Sequence, residues 1–437
     1  MRLASQRMRK LMKQLSLRLP RRGAGLLLVL GVAACAAQQP LSWEQVKTRF
    51  ETNNPQLKAD ALGVDEMRAN EVTAFLRPNP QFTFSTDGTQ IAPHNGVWQP
   101  FSGTDFVPAL SYLHERDHKR ELRRDSARQG TQIAAASHED LQRTLEFTLR
   151  AAFVDTLQAK AVLELAKADL EYYDKIIEIS RDRLKAGDLA EIDFERIELL
   201  RAQYEVEIET AQVNLRTAKI QLEQLLNDRT PIEQFDVQGA FDFQDALKPL
   251  DEVRQTALDA RPDLRAALES VQQAETNRKL AEANGSTDPT FSGWYTYNSS
   301  NNNANGIQTL GASVNIPLRI FDRNQGEKQR TLIDIHRNQQ ASEAVRAQVL
   351  GDVDSAYAQV ASSIALLKPY RDKYKDEATR VRDTVTYSYQ HGGSSLMDFL
   401  NAQSDYRTVQ LAYLQLIGSY MTAAAQLNLA VGREVIQ

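Results

Sequence analysis

Cysteine is all but missing from this chain, with one residue, Cys35, in 437. No disulfide can form within a single copy, and no cysteine-based zinc site can be built. Helix breakers are equally scarce where it matters. Between Arg116 and Lys185 there is no proline and the only glycine is Gly130, so nothing stops one helix of about seventy residues, roughly 100 Å long at 1.5 Å per residue. Beyond the N-terminal segment, no stretch is apolar enough for a membrane-spanning helix. A glycine-rich phosphate loop, a nucleophile elbow and a metal-spaced cysteine set are all lacking. Acids occur beside bases, as in Glu191, Asp193, Glu195 and Arg196, which is the pattern of a solvated helix face. His114 and His118 stand four apart, a spacing at which two imidazoles on one helix face can share a metal, but no third ligand lies nearby in sequence. Neither an enzyme, a cofactor nor a metal site is expected.

An excess of positive charge is also absent. The formal charge is −5, and setting aside eight Lys or Arg among the first 34 residues leaves a chain near −13, which argues against nucleic acid as a partner. Those 34 residues carry no acid, and an apolar run at Leu26–Leu30 leads into Val32-Ala33-Ala34-Cys35. Residues 1–34 therefore read as an export signal whose apolar core is too short to span a bilayer. Small residues directly before a sole cysteine resemble the bacterial lipoprotein box, which implies acylation at Cys35. Ala36 follows where an Asp would favour retention at the inner membrane, so the expected destination is the outer membrane.

What the chain does have is an internal repeat of about two hundred residues. Asn54-Pro-Gln-Leu57 answers Arg261-Pro-Asp-Leu264, Asn79-Pro-Gln-Phe82 answers Asp288-Pro-Thr-Phe291, and Val107-Pro108 answers Ile316-Pro317. The run from Arg183 through Gly187, Asp188 and Asp193 to Phe194 answers that from Tyr389 through Gly392, Gly393 and Asp398 to Phe399. Each of these last two reads as the tip of a helical hairpin, with glycine ending one helix and a polar linker restarting the next. The expected division is 35–245 and 246–437, each half a helix, a strand hairpin and a long helical hairpin.

Ser42 is placed to cap a first helix, and a second follows Pro55 to about Leu76. Gln81–Ser85 and Phe106–Tyr112 alternate as strands around a loop, and Phe291–Tyr297 and Leu310–Ile316 repeat the arrangement. Ile197, Leu200, Tyr204, Ile208, Ala211 and Leu215 keep coiled-coil spacing along a returning helix. Residues 227–261 break the pattern and read as a strap across a rod, with Pro262 opening the second set of helices. A further long helix is expected over 327–390, interrupted at Gly351 and Pro369, with the proline kinking or unwinding it, and its return over 396–430. Four strands cannot close on themselves, and an open sheet in lipid leaves edge hydrogen bonds unmet. Three copies would supply twelve, an even number within the range of membrane barrels.

With these features together, the chain resembles the TolC-type outer-membrane efflux proteins over nearly its whole exported length. The resemblance implies a mainly α fold with membrane β: a homotrimer in which a twelve-stranded outer-membrane barrel continues into a periplasmic tunnel of twelve helices. It implies an aperture at the inner end lined by Asp398, with Asn401 where a second Asp is often found and Asp193 at the matching place of the first half. It further implies helix tips, at Gly187, Asp188, Gly392 and Gly393, that meet a periplasmic adaptor protein, and an inner-membrane pump of the resistance-nodulation-division type. The run Phe321-Asp-Arg-Asn-Gln-Gly-Glu327 looks like that of outer-membrane partners of heavy-metal and other cation pumps. The expected function is thus a passive, lipid-anchored efflux duct. A protein-secretion channel and a pore-less periplasmic coiled-coil scaffold are the alternatives.

Overall fold

The computed structural model describes residues 39–298 and 307–436. The signal and Cys35 lie outside the described residues, as does most of the Asn- and Ser-rich loop between the last two strands. The chain opens with α1 (Trp43–Asn53), α2 (Pro55–Phe75), β1 (Gln81–Asp87), β2 (Asp105–Leu113), α3 (Lys119–Ala186) and α4 (Glu191–Leu226). After a non-helical strap come α5 (Leu250–Ala260), α6 (Pro262–Ala283), β3 (Thr290–Asn298), β4 (Gln308–Asn315), α7 (Gln325–Pro369), α8 (Lys375–Gln390) and α9 (Leu396–Val431).

Local chemistry explains most boundaries. Ser42 and Gln45 form a reciprocal capping box at the start of α1, the Ser42 amide donating to Gln45 Oε1 at 3.0 Å and the Gln45 amide to Ser42 Oγ at 3.4 Å. Asn54 then ends α1 and caps α2, its Oδ1 accepting from the amides of Gln56 and Leu57 at 2.9 and 3.1 Å with Pro55 as the first helical residue. The equivalent junction of the second half places Arg261 before Pro262, and this guanidinium is buried. It donates to Asp263 at 2.6 Å, Asp352 at 2.9 Å and the Ala430 carbonyl at 3.1 Å, so a buried ion network replaces a side-chain cap.

Two expectations need correction. The strap ends earlier than Ala260, because Leu250–Ala260 is helix α5, the counterpart of α1. Its buried face is only Val253 and Ala257, a signal too short to distinguish from irregular chain by periodicity. The rest of the strap lies first along the first half and then, from Phe243 on, against the second, where Gln244 and Tyr420 exchange hydrogen bonds. Leu41 and Val237 form a parallel bridge, and Lys160 and Lys219 hold Asp236 at 2.7 and 3.1 Å. Gly351 leaves α7 unbroken. Pro369 does interrupt the long helix as expected: it has no amide to donate, and the chain passes through one π turn, Tyr370–Tyr374, before α8 continues.

Apolar residues gather in three clusters. One includes Val46, Phe50, Leu149, Phe153, Leu222 and Val237 of the first half, and another Val253, Val353, Val360, Leu367, Ile417 and Leu427 of the second. The third sits where the two helical hairpins meet near their tips.

The strands form one antiparallel sheet in the order β1-β2-β3-β4. Register puts Phe82, Leu110, Gly293 and Ala312 in one cross-strand row, with Tyr112, Phe291 and Val314 on the same face, while Gln81, Ser111, Ser292 and Ser313 make a row on the other. One face is therefore apolar and the other rich in hydroxyls. The apolar face is bare: Phe82 is 67 % exposed and Leu310 86 %. Neither β1 nor β4 has a strand on its outer edge among the described residues.

Candidate functional site

The residues singled out at the two hairpin tips fall into matching positions of two turns. At the first, Gly187 adopts φ +82°, a left-handed conformation that costs an L-residue energy, and its amide donates to the Leu184 carbonyl while that of Asp188 reaches Arg183. At the second, Gly392 takes φ +78°, and the Gly393 amide donates to the Ser388 carbonyl at 2.8 Å. A Cβ added at Gly187 or Gly392 would meet nothing within 4 Å, so backbone conformation and not space demands glycine there. Gly187, Asp188, Gly392 and Gly393 are all exposed.

The helices restart differently. Asp193 and Asp398 each occupy the third position of their helix. Ala190 before α4 has no side-chain oxygen, and the half-buried Asp193 carboxylate makes no hydrogen bond among the described residues. Before α9, Ser395 and Asp398 form a capping box. The Asp398 amide donates to Ser395 Oγ at 3.1 Å, and Asp398 Oδ2 accepts from that hydroxyl at 2.7 Å and from the Ser395 amide at 3.2 Å. The Ser395 hydroxyl first, and its amide second, hold the Asp398 carboxyl below the usual carboxylate range. Asp398 is exposed, and Asn401, one turn further along α9, is exposed as well. The capping role is thus real, and it leaves Asp398 ionised and open to solvent.

Directly behind the turns the two hairpins are clamped together. Arg183 donates to the Tyr389 carbonyl at 2.7 Å, with its guanidinium 4.9 Å from the Tyr389 ring centre. Tyr389 stacks on the buried Phe399 at 5.0 Å, and Tyr173, Ile176, Phe194 and Leu396 complete the plug. Above it lies a charged layer. Arg407 on α9 pairs with Glu207 of α4 at 2.5 Å and lies 4.0 Å from Asp169 of α3, and Arg382 of α8 stacks on Tyr406 and Tyr172. Burial pushes the Asp169 carboxyl up to about 6 despite Arg407 and Arg382, and pushes the Tyr204 phenol up to about 12.

None of this layer was picked out from sequence. Arg183 and Tyr389 both belong to the two tip runs, but Arg183 matches Ser388 in the repeat, so no pattern in the sequence pairs it with Tyr389. His114 packs edge-on to Phe291, and His118 sits at φ +56° before α3. No group of three metal-ligating side chains occurs among the described residues.

The sequence family described as "Outer membrane efflux protein" matches the chain twice, at residues 48–228 and 253–433. The "Cobalt-zinc-cadmium resistance protein CzcC" of Cupriavidus metallidurans is 23 % identical over 407 residues, covering 91 % of each chain. Among solved structures, CusC superimposes with a TM-score of 0.75 at 18 % identity, over 89 % of this chain and 92 % of that one. The open-state outer membrane channel MtrE of Neisseria gonorrhoeae gives 0.71 at 19 % identity, over 90 % and 89 %.

Proposed function

The chain belongs to the outer membrane efflux protein family, and from that premise we propose that three copies close into one conduit whose barrel lies in the outer membrane and whose helical tunnel reaches into the periplasm. The protein is an outer-membrane efflux duct. The observation that carries the trimeric reading is the sheet: four strands with two open edges, an apolar face bare to the surroundings and a hydroxyl-rich face opposite. Such a sheet satisfies its backbone in lipid only by closing with copies of itself, apolar side out. A second feature agrees. Ile192, Leu199, Val206, Val213 and Ile220 are exposed at seven-residue intervals along α4, a seam suited to a helix of another copy.

In this reading residues 35–245 and 246–437 are the two structural repeats of each subunit. Asp398, Asn401 and Asp193 line the inner aperture, and the exposed turns at Gly187, Asp188, Gly392 and Gly393 receive a periplasmic adaptor coupled to an inner-membrane pump of the resistance-nodulation-division type. The duct is passive and non-enzymatic, the pump supplying the energy. Cys35 carries the lipid anchor. Divalent heavy-metal cations are the proposed cargo, supported by the name of the Cupriavidus relative and the acidic tips. Mass measurement of detergent-extracted protein, followed by conductance in planar bilayers, tests the reading: a trimer that conducts is expected, and a stable, non-conducting monomer overturns it.

A further inference from the structure

All four helix-side strand ends lie at one end of the sheet, since Gln81 faces Ser111, and Leu113, Thr290 and Asn315 are linked in register. The segments leaving those ends form a collar between strands and helices. Charge is distributed very unevenly about the sheet. No Lys or Arg occurs from Pro78 to Glu115 or from Leu280 to Leu318, so the strands and both far loops carry none, and the far end instead holds Asp87 opposite Asp105. The collar holds Arg77, Arg116, Arg319 and Arg323.

Several of the collar's acids already have partners. Glu115 takes Arg123, Asp288 takes Lys119 at 2.6 Å and the Arg116 amide at 2.9 Å, and Asp322 accepts from the Asn324 amide. None of the four arginine side chains makes a salt bridge or hydrogen bond among the described residues; Arg319 lies near enough to Asp288 to help hold that carboxyl down, and its Nε is buried without an acceptor. Arg77 and Arg116 line one cavity of about 430 Å³ whose acids are Glu115, paired with Arg123, Glu121, paired with Arg120, and Asp117. Beside the arginines the chain exposes Leu76, Leu318, Ile320 and Phe321, the last 89 % exposed. Guanidiniums without a salt bridge next to bare apolar side chains, at the level where a membrane sheet gives way to polar helices, are the composition of a bilayer interface.

We propose that this collar binds the phosphodiester headgroups of anionic phospholipid in the periplasmic leaflet. Arg77 and Arg116 grip phosphate in the cavity, Arg319 and Arg323 do so where β4 leaves the sheet, and Leu318, Ile320 and Phe321 sit among the acyl chains. Guanidinium suits phosphate because its forked donors match the oxygens pairwise. The proposal rests on the barrel reading above and adds a ligand site to it.

Titration of the purified full-length trimer with phosphatidylglycerol in mixed micelles, read by native mass spectrometry, tests it. Arg77→Gln with Arg116→Gln, and Arg319→Gln with Arg323→Gln, are expected to weaken binding roughly fivefold per arginine, with Lys at the same positions restoring the charge but only part of the affinity and trimer mass and conductance unchanged. Phosphatidylcholine is expected to bind more weakly, and inorganic phosphate not to displace the lipid. Wild-type affinity in a quadruple Gln variant, or displacement by inorganic phosphate, overturns the proposal. Should that variant not accumulate as a trimer, the wild type decides: affinity that is the same at low and high salt overturns it, since screened surface charge must weaken. A non-conducting monomer in the wild type instead overturns the duct reading beneath it, and mass shows that independently of lipid.

Discussion

Replacing Asp169 with Asn is expected to stabilise the protein at neutral pH and to do nothing in acid. The side chain is 12 % exposed, its Oδ2 accepts no hydrogen bond, and the nearest cation, Arg407 Nε, is 4.0 Å away while Arg407 Nη2 is committed to Glu207 at 2.5 Å. Burial therefore outweighs attraction and lifts the carboxyl from 3.8 to about 6. The sign follows from linkage. A folded state that holds its proton more tightly than the unfolded chain loses stability as pH rises through this range, and the full cost is present above about pH 6. About two pH units at 1.36 kcal/mol each give roughly 3 kcal/mol. Asn keeps the shape, cannot ionise and leaves the Arg407–Glu207 pair in place. Asp169→Asn is thus expected to raise stability by about 1–3 kcal/mol at pH 8 and by nearly nothing at pH 4, seen in the thermal midpoint of the helical circular-dichroism signal of the detergent-solubilised protein. A variant that melts at or below wild type at pH 8, or a gap that does not change with pH, refutes the reasoning.

Asp398→Asn retains a capping residue but loses the charge, so folding is expected to be nearly unchanged while cation preference in single-channel recordings falls, with Asp193→Asn adding a smaller loss; unchanged selectivity in the double variant would assign both residues to helix starts alone. Phe399→Ala empties the centre of the tip plug and is expected to cost about 3–5 kcal/mol, with faster proteolysis between His391 and Asp398; protease resistance equal to wild type would show that the plug does not hold the tips. Cys35→Ser is expected to abolish incorporation of radiolabelled palmitate in cells, and continued labelling would place the anchor elsewhere.

The helices, the strands and the repeat were legible in the sequence because each depends on local rules. A run from Arg116 to Lys185 without proline can only be read one way, alternation at Phe291–Tyr297 marks a strand whatever surrounds it, and glycine before a polar linker must turn. Even Ser42 announced its cap. The short helix Leu250–Ala260 escaped because two buried side chains make no periodic signal. What only the tertiary structure decided are contacts between chemically ordinary residues far apart in the chain. Arg183 against Tyr389, Arg407 between Glu207 and Asp169, and Arg261 between Asp263 and Asp352 each join elements whose separation says nothing about their charges. The state of Asp169 shows why: a carboxylate on a helix among lysines and arginines reads as solvated, and burial against a second hairpin is what changes its proton affinity. Asp193 and Asp398 make the same point from the other side. Sequence marks both as matching places of the repeat, yet the Ser395 hydroxyl folded back onto one of them, and the alanine at the other, give two equivalent aspartates different surroundings.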